Sequence, residues 1–226
     1  MPYYEQRRGG FLSGIPVVTR NLLIVNIVMF IATLVNEEFM VGTFAMFYPA
    51  SPFFRVWQPV TYMFMHGGFW HIFFNMYTLL MFGTAVERTI GTRNFLILYF
   101  VTGLGAMALH TGVEYLQASH YLAAGTPAGQ VSYNQLLRTP MLGASGAIYG
   151  LLVAYAMLFP DARMTLLFPP VTLDAKWMVI IFIGIELLTG VTGTGMGIAH
   201  FAHLGGALLG FILIWAWRKS GRLWRR

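Results

Sequence analysis

Ile198-Ala199-His200-Phe201-Ala202-His203-Leu204-Gly205-Gly206-Ala207-Leu208-Leu209-Gly210 opens a run that stays apolar to Trp217, where Arg218 and Lys219 close it. No Asp, Glu, Lys or Arg interrupts residues 198–217. Coiled as an α-helix at about 1.5 Å per residue, that stretch matches the ~30 Å hydrocarbon core of a bilayer. Runs of the same kind lie at about 20–36, 65–83, 94–113, 142–159 and 176–190. The fold class is therefore all-α, a polytopic membrane protein with six transmembrane helices.

Composition agrees. Of 226 residues, 57% are hydrophobic and 10% charged, against roughly 45–50% and about 25% in soluble domains. Mean hydropathy is +0.65. So little charge cannot coat a water-facing surface, which excludes a soluble enzyme, and the length leaves no room for a second large domain. The organisation expected is an N-terminal segment over 1–19, a membrane domain over 20–217 and a basic tail over 218–226. With no cysteine, a disulfide framework, a thiolate metal site and a cysteine nucleophile are excluded together.

The net charge of +6 does not call for a nucleic-acid partner. Five of the fourteen basic residues crowd the last nine positions, where they read as a topology signal. Six spans put both termini on one side. That side carries Arg7, Arg8, Arg20, Arg88, Arg93, Arg163, Lys176 and the five of the tail, while only Arg55 and Arg138 fall opposite. By the positive-inside rule the termini are expected in the cytoplasm. No small-residue cleavage site follows the first run at signal-peptide distance, so that run is expected to stay. The aromatic and proline-bearing stretch 37–64 suits the membrane interface. The polar stretch 114–140 reads as an external loop.

Polar residues inside spans need partners in lipid, so they are the informative ones. The fourth span opens Met141-Leu142-Gly143-Ala144-Ser145-Gly146-Ala147, and Gly143, Gly146 and Gly150 share a helical face that admits a second backbone. In the sixth span His203, Gly206 and Gly210 share a face likewise. If these faces pack, His203 and Ser145 meet, and a base beside a hydroxyl is what nucleophilic catalysis requires. A histidine merely capping a helix is the competing reading. In the second span His71 and Asn75 lie one turn apart. They are either a pair of oxyanion donors or polar glue between helices. His66 reads as structural, and Glu186 as an isolated, interfacial carboxylate. His200 and His203 are three apart, but no His-Glu-x-x-His occurs, so no metal and no cofactor are expected.

Together these three motifs, in this order and at matching depth, resemble the rhomboid family of intramembrane serine proteases. The resemblance covers about residues 60–217, and six spans are the count of the basic bacterial-type member. It implies a Ser-His dyad, with Ser145 as nucleophile and His203 as general base and then acid. Tyr149, one turn below the serine, would pack on the histidine. The Ser145 N–H, His71 and Asn75 would hold the oxyanion, Gly143 would keep the helix head open, and Gly146 and Gly206 would support the packing. The linker 190–197 resembles the family's loop over the active site. Many members carry Trp-Arg in the first outer loop. Here Trp57 is followed by Gln58, with Arg55 two positions earlier, which questions how that loop is anchored. Glu87 and Arg88 fit the family's polar turn after the second span.

The implied activity is hydrolysis of peptide bonds in or near transmembrane segments of membrane-protein substrates. The implied setting is a lipid bilayer, the bacterial inner membrane, with the site opening to the outer side. A non-catalytic relative that binds transmembrane helices is the main rival, although both Ser145 and His203 are present. A small transporter is a further one, but the chain lacks paired broken helices in corresponding halves.

Overall fold

The computed structural model describes residues 14–165, 170–192 and 199–224. The chain enters through α1 (Val17–Val35) and α2 (Glu37–Phe44). Asn36 starts α2 by accepting the Phe39 N–H at 3.1 Å, with Glu37 and Glu38 in the first turn where the helix dipole favours them. A short α3 (Gln58–Thr61) precedes α4 (Phe69–Thr78), which runs through a π-helical turn, Leu79–Gly83, into α5 (Thr84–Ile90). Next come α6 (Thr92–Ala123), α7 (Pro127–Leu136) and α8 (Ser145–Leu158). A small antiparallel hairpin, β1 (Arg163–Thr165) with β2 (Thr172–Asp174), leads to α9 (Ala175–Thr192) and α10 (Ala199–Lys219).

The architecture is the expected all-α membrane bundle, with its greasy side outward. Phe69, Trp70, Phe73 and Phe74 of α4 and Ile181, Ile185 and Leu188 of α9 are exposed, an arrangement suited to lipid rather than water.

Five of the six expected spans are met by long helices. Among the described residues five helices are long and apolar enough to cross a membrane: Val17–Val35, Phe69–Ile90, Thr92–Ala123, Ala175–Thr192 and Ala199–Lys219. The fourth expected span is α8, whose 14 residues reach only about 21 Å. Its head is not helical, for two reasons. Met141 pairs with Met46 through two backbone hydrogen bonds of 2.8 and 2.9 Å, and Gly143 takes φ +128°, a conformation open to glycine and strained for other residues. Helix can begin only at Ser145.

The stretch 114–140 also differs from an open loop, since α6 runs on to Ala123 and α7 follows. Glu114 is buried within that extension, 3.6 Å from His110 one turn earlier.

The centre of the molecule is α8, with α10 packed chiefly on α6 and α8. Close approach is possible because glycines meet. A β-carbon on Gly210 would lie 2.5 Å from the Gly150 carbonyl oxygen, and one on Gly205 would lie 2.6 Å from that of Gly105. The glycine faces read from the sequence do pack, with Gly146 against Gly206 and Gly150 against Gly210. Gly143 stands outside that face, because it precedes the helix.

Two buried polar side chains fasten the periphery. Glu87, 2% exposed, accepts the N–H groups of Val18 and Thr19 at 3.0 and 2.7 Å, and the hydroxyls of Thr19 and Thr92 at 2.8 and 3.1 Å. It thereby supplies acceptors to the open N-terminus of α1. Between α2 and α4 the anchor is Gln58, fully buried. Its Nε2 donates to the Phe53 carbonyl at 3.0 Å and its Oε1 accepts the Arg55 N–H at 3.1 Å. Arg55 closes on the Pro52 and Phe54 carbonyls, and the Trp57 indole donates to the Thr43 carbonyl at 2.9 Å. The missing Trp-Arg pair is thus replaced by an amide that bonds in both directions.

Candidate active site

Ser145 is the first residue of α8 and His203 the fifth of α10. The glycine crossing brings their side chains together, with His203 Nε2 2.9 Å from Ser145 Oγ. Tyr149, one turn along α8, stacks on the imidazole with ring centroids 4.4 Å apart and planes 9° apart. Of the ring's rotations, the stack leaves those within its own plane. Both side chains of the pair are half-buried, reachable yet shielded.

His71 approaches this place from α4. Gly143 sets the spacing: a β-carbon there would lie 2.8 Å from His71 Nε2 and 3.6 Å from Ser145 Oγ. The glycine therefore leaves open the space between the imidazole and the hydroxyl. The Gly143 N–H is itself engaged by the Tyr62 carbonyl at 3.0 Å, which fixes the loop. The imidazole is oriented by its Nδ1, which accepts from the Gly67 N–H at 3.4 Å. Asn75, one turn along α4 from His71, is buried and its Nδ2 has no acceptor, and an unsatisfied buried donor is costly. The N–H of Ser145, at the first position of a helix, has no intrahelical acceptor.

His66 lies outside this group. It is buried and packs edge-on against His71 with centroids 5.0 Å apart, as a packing residue. Beside His71 a cavity of about 670 Å³ is lined by Gly67, His110, Glu114, Met141 and Ala199, among others.

The reading of Glu186 as an isolated carboxylate is overturned. It is buried, accepts the Tyr149 hydroxyl on Oε1, and lies 2.5 Å from His200 Nδ1 through Oε2. His203 Nδ1 is 3.0 Å from Oε1, at ion-pair distance but without hydrogen-bond alignment. His200, left without a role by the sequence, is thus tied to the same group, with the Thr189 hydroxyl 3.1 Å from its Nδ1. The available signal was that a carboxylate within a span must find a partner. The helical register alone does not say which histidine it meets. Glu186, His200 and His203 each offer one ligand atom, all within 4.8 Å, a donor set able to hold zinc. In this arrangement those donors serve one another. Most of the linker 190–197 lies outside the described residues.

A family model described as Rhomboid domain matches residues 54–220. The chain is 35% identical to RHOMBOID-like protein 12, mitochondrial, of Arabidopsis thaliana, over 96% of this chain and 64% of that protein. It is 29% identical to Rhomboid protein 1, mitochondrial, of Saccharomyces cerevisiae, over 70% of this chain and 40% of that protein. With Rhomboid protease AarA of Providencia stuartii identity is 24%, over 94% of this chain and 76% of that protein. The chain spans less than two thirds of the length of the first two. Those two are mitochondrial by name, so the likeness supports a multi-pass membrane protein and does not support the bacterial inner membrane expected from the sequence.

Proposed function

Because the chain belongs to the rhomboid family, we propose that it is an intramembrane serine protease acting on transmembrane protein substrates. The observation that carries this reading is the 2.9 Å approach of His203 Nε2 to Ser145 Oγ at the head of a buried helix. A serine hydroxyl is a weak nucleophile until a base accepts its proton.

The reaction runs in two halves. Ser145 Oγ attacks the scissile carbonyl carbon while its proton passes to His203 Nε2. The tetrahedral oxyanion takes hydrogen bonds from the Ser145 N–H, His71 and Asn75. Collapse breaks the C–N bond, and the imidazolium returns its proton to the leaving amine, leaving an acyl ester on Ser145. Water, deprotonated by His203, then attacks the ester and releases the carboxyl product and the free serine. Each well-placed oxyanion donor is worth roughly 2.7–4 kcal/mol in the transition state.

Place supports the chemistry. Hydrolysis at membrane depth needs water, and α8 begins at Ser145, four residues past the Met46–Met141 pairing. A substrate helix must unwind before its carbonyl reaches Ser145, so the expected cleavage context is one of helix-weakening small residues. If α8 completes the six spans, twelve of fourteen basic residues lie on the side of the termini, and the site then opens to the opposite side.

The test is labelling of the detergent-solubilised protein with a serine-directed fluorophosphonate. Wild type should label, and Ser145→Ala and His203→Ala should not. A folded wild type that stays unlabelled overturns the reading and leaves a helix-binding, non-cleaving protein in its place.

A further inference from the structure

Proton transfer from Ser145 occupies one nitrogen of the His203 imidazole, and the second nitrogen needs a partner of its own. For His203 Nε2 to accept the Ser145 proton, the neutral ring must carry its own proton on Nδ1. With nothing beside Nδ1 the two tautomers compete, and the wrong one points an N–H at the hydroxyl it should deprotonate.

We infer that Glu186 of α9 is a positioning residue for His203, its carboxylate holding the proton on Nδ1 and stabilising the imidazolium formed during attack. The inference rests on the protease reading. The distance carries it first: Glu186 Oε1 lies 3.0 Å from His203 Nδ1, on the edge of the ring opposite the 2.9 Å approach to Ser145. The contact is an ion-pair approach without full hydrogen-bond alignment, and catalytic hydrogen bonds commonly tighten in the Michaelis complex. Stacking on Tyr149, with ring planes 9° apart, holds the ring in the plane in which Nδ1 faces the carboxylate.

The surroundings of Glu186 carry it second. The carboxylate is held at both oxygens, by the Tyr149 hydroxyl on Oε1 and by His200 Nδ1 at 2.5 Å on Oε2. One residue, Tyr149, thus restrains the imidazole by its face and the carboxylate by its hydroxyl. A buried carboxylate that only tied helices together would need no histidine of the nucleophile pair among its neighbours. His200, three residues before His203, acts as the third clamp, itself within reach of the Thr189 hydroxyl. No Asp follows in the last span, as a three-residue arrangement within one helix would demand; the acid comes from the neighbouring helix instead.

The experiment measures the rate of fluorophosphonate labelling and the kcat and KM for a transmembrane substrate, in wild type, Glu186→Gln and Glu186→Asp, beside thermal unfolding of each. Replacing the corresponding carboxylate by amide costs soluble serine proteases about 10⁴ in kcat. The expected result is a fall in kcat and labelling rate of at least about tenfold in Glu186→Gln, with KM within about twofold and partial recovery in Glu186→Asp. A folded Glu186→Gln that labels at the wild-type rate overturns the inference and leaves the protease reading intact. A wild type that does not label overturns both. Should Glu186→Gln fail to fold, nitrogen NMR of the wild-type histidines decides. A strongly deshielded Nδ1 proton that vanishes in His203→Ala supports the inference, and a His203 protonated on Nε2 overturns it.

Discussion

The carbonyl oxygen of Gly146 on α8 occupies the place that a β-carbon of Gly206 on α10 would need. Backbone lies against backbone there, and that contact brings Ser145 and His203 within reach of each other. Gly206→Ala must push the helices apart, because the obstructing atom is main chain and cannot rotate away. Overpacking costs typically 1–3 kcal/mol, roughly, and this case belongs at the upper end or beyond. The variant should lose thermal stability and labelling together. Gly184→Ala on α9, where a β-carbon meets open space, is the control and should alter neither. An active, stable Gly206→Ala would show that the crossing is looser than it looks.

Gly143 offers a local counterpart. Its φ of +128° and the 2.8 Å separation of a β-carbon from His71 Nε2 both oppose a side chain, at a cost of order 1–3 kcal/mol for the backbone alone. Gly143→Ala should therefore displace His71 and lower kcat by tenfold or more, while unfolding temperature falls less than for Gly206→Ala. Equal turnover would mean that the space beside His71 is not used.

Much of this was legible in the sequence, and what was missed has physical causes. The serine, the two motif histidines and Asn75 stood out because polar groups in lipid are scarce and must pair, and Tyr149 was pointed to only by the family resemblance. The glycine faces were readable because small residues at helical spacing have few other uses there. The length of α8 was not, since its early start is prevented by strand-like pairing of Met141 with Met46, nearly a hundred residues away. Glu186 was misjudged for a related reason. Its partners sit on two other helices, and spacing within α9 carries no information about them. The helical extension to Ala123 was hidden because the stretch from 114 on is polar, while Glu114 is in fact buried beside His110 one turn earlier.

Glu87 separates stability from chemistry. It accepts four hydrogen bonds at the junction of α1, α5 and α6, on elements that contribute no side chain to the nucleophile pair. Glu87→Ala would leave buried N–H and hydroxyl donors unmatched, at about 1–3 kcal/mol per group before relaxation. Thermal unfolding should shift down by several degrees. Labelling of the folded fraction at low temperature should match wild type; selective loss of labelling without loss of stability would point to a path from α1 to the site.

Asn75 and His71 are expected to act only on the transition state. Asn75→Ala removes a buried donor that has no acceptor in the resting protein, so ground-state binding loses nothing. The expected signature is a fall in kcat of about 10²–10³ with KM unchanged. His71→Ala should behave alike. A rise in KM alone would turn both residues into substrate-binding or packing groups.

Metal dependence gives the last test, because Glu186, His200 and His203 could hold zinc by donor type and spacing. Occupancy and serine chemistry exclude each other. A metal on His203 Nδ1 forces the neutral ring to carry its proton on Nε2, aimed at Ser145 Oγ 2.9 Å away, and a nitrogen bearing a proton cannot accept another. The metal would also have to displace the Tyr149 hydroxyl and His200 from the carboxylate. Prolonged dialysis against a strong chelator should therefore leave kcat and fluorophosphonate labelling unchanged. Activity lost on chelation and restored by zinc would mean that the nucleophile is a metal-bound water, and Ser145→Ala would then retain turnover.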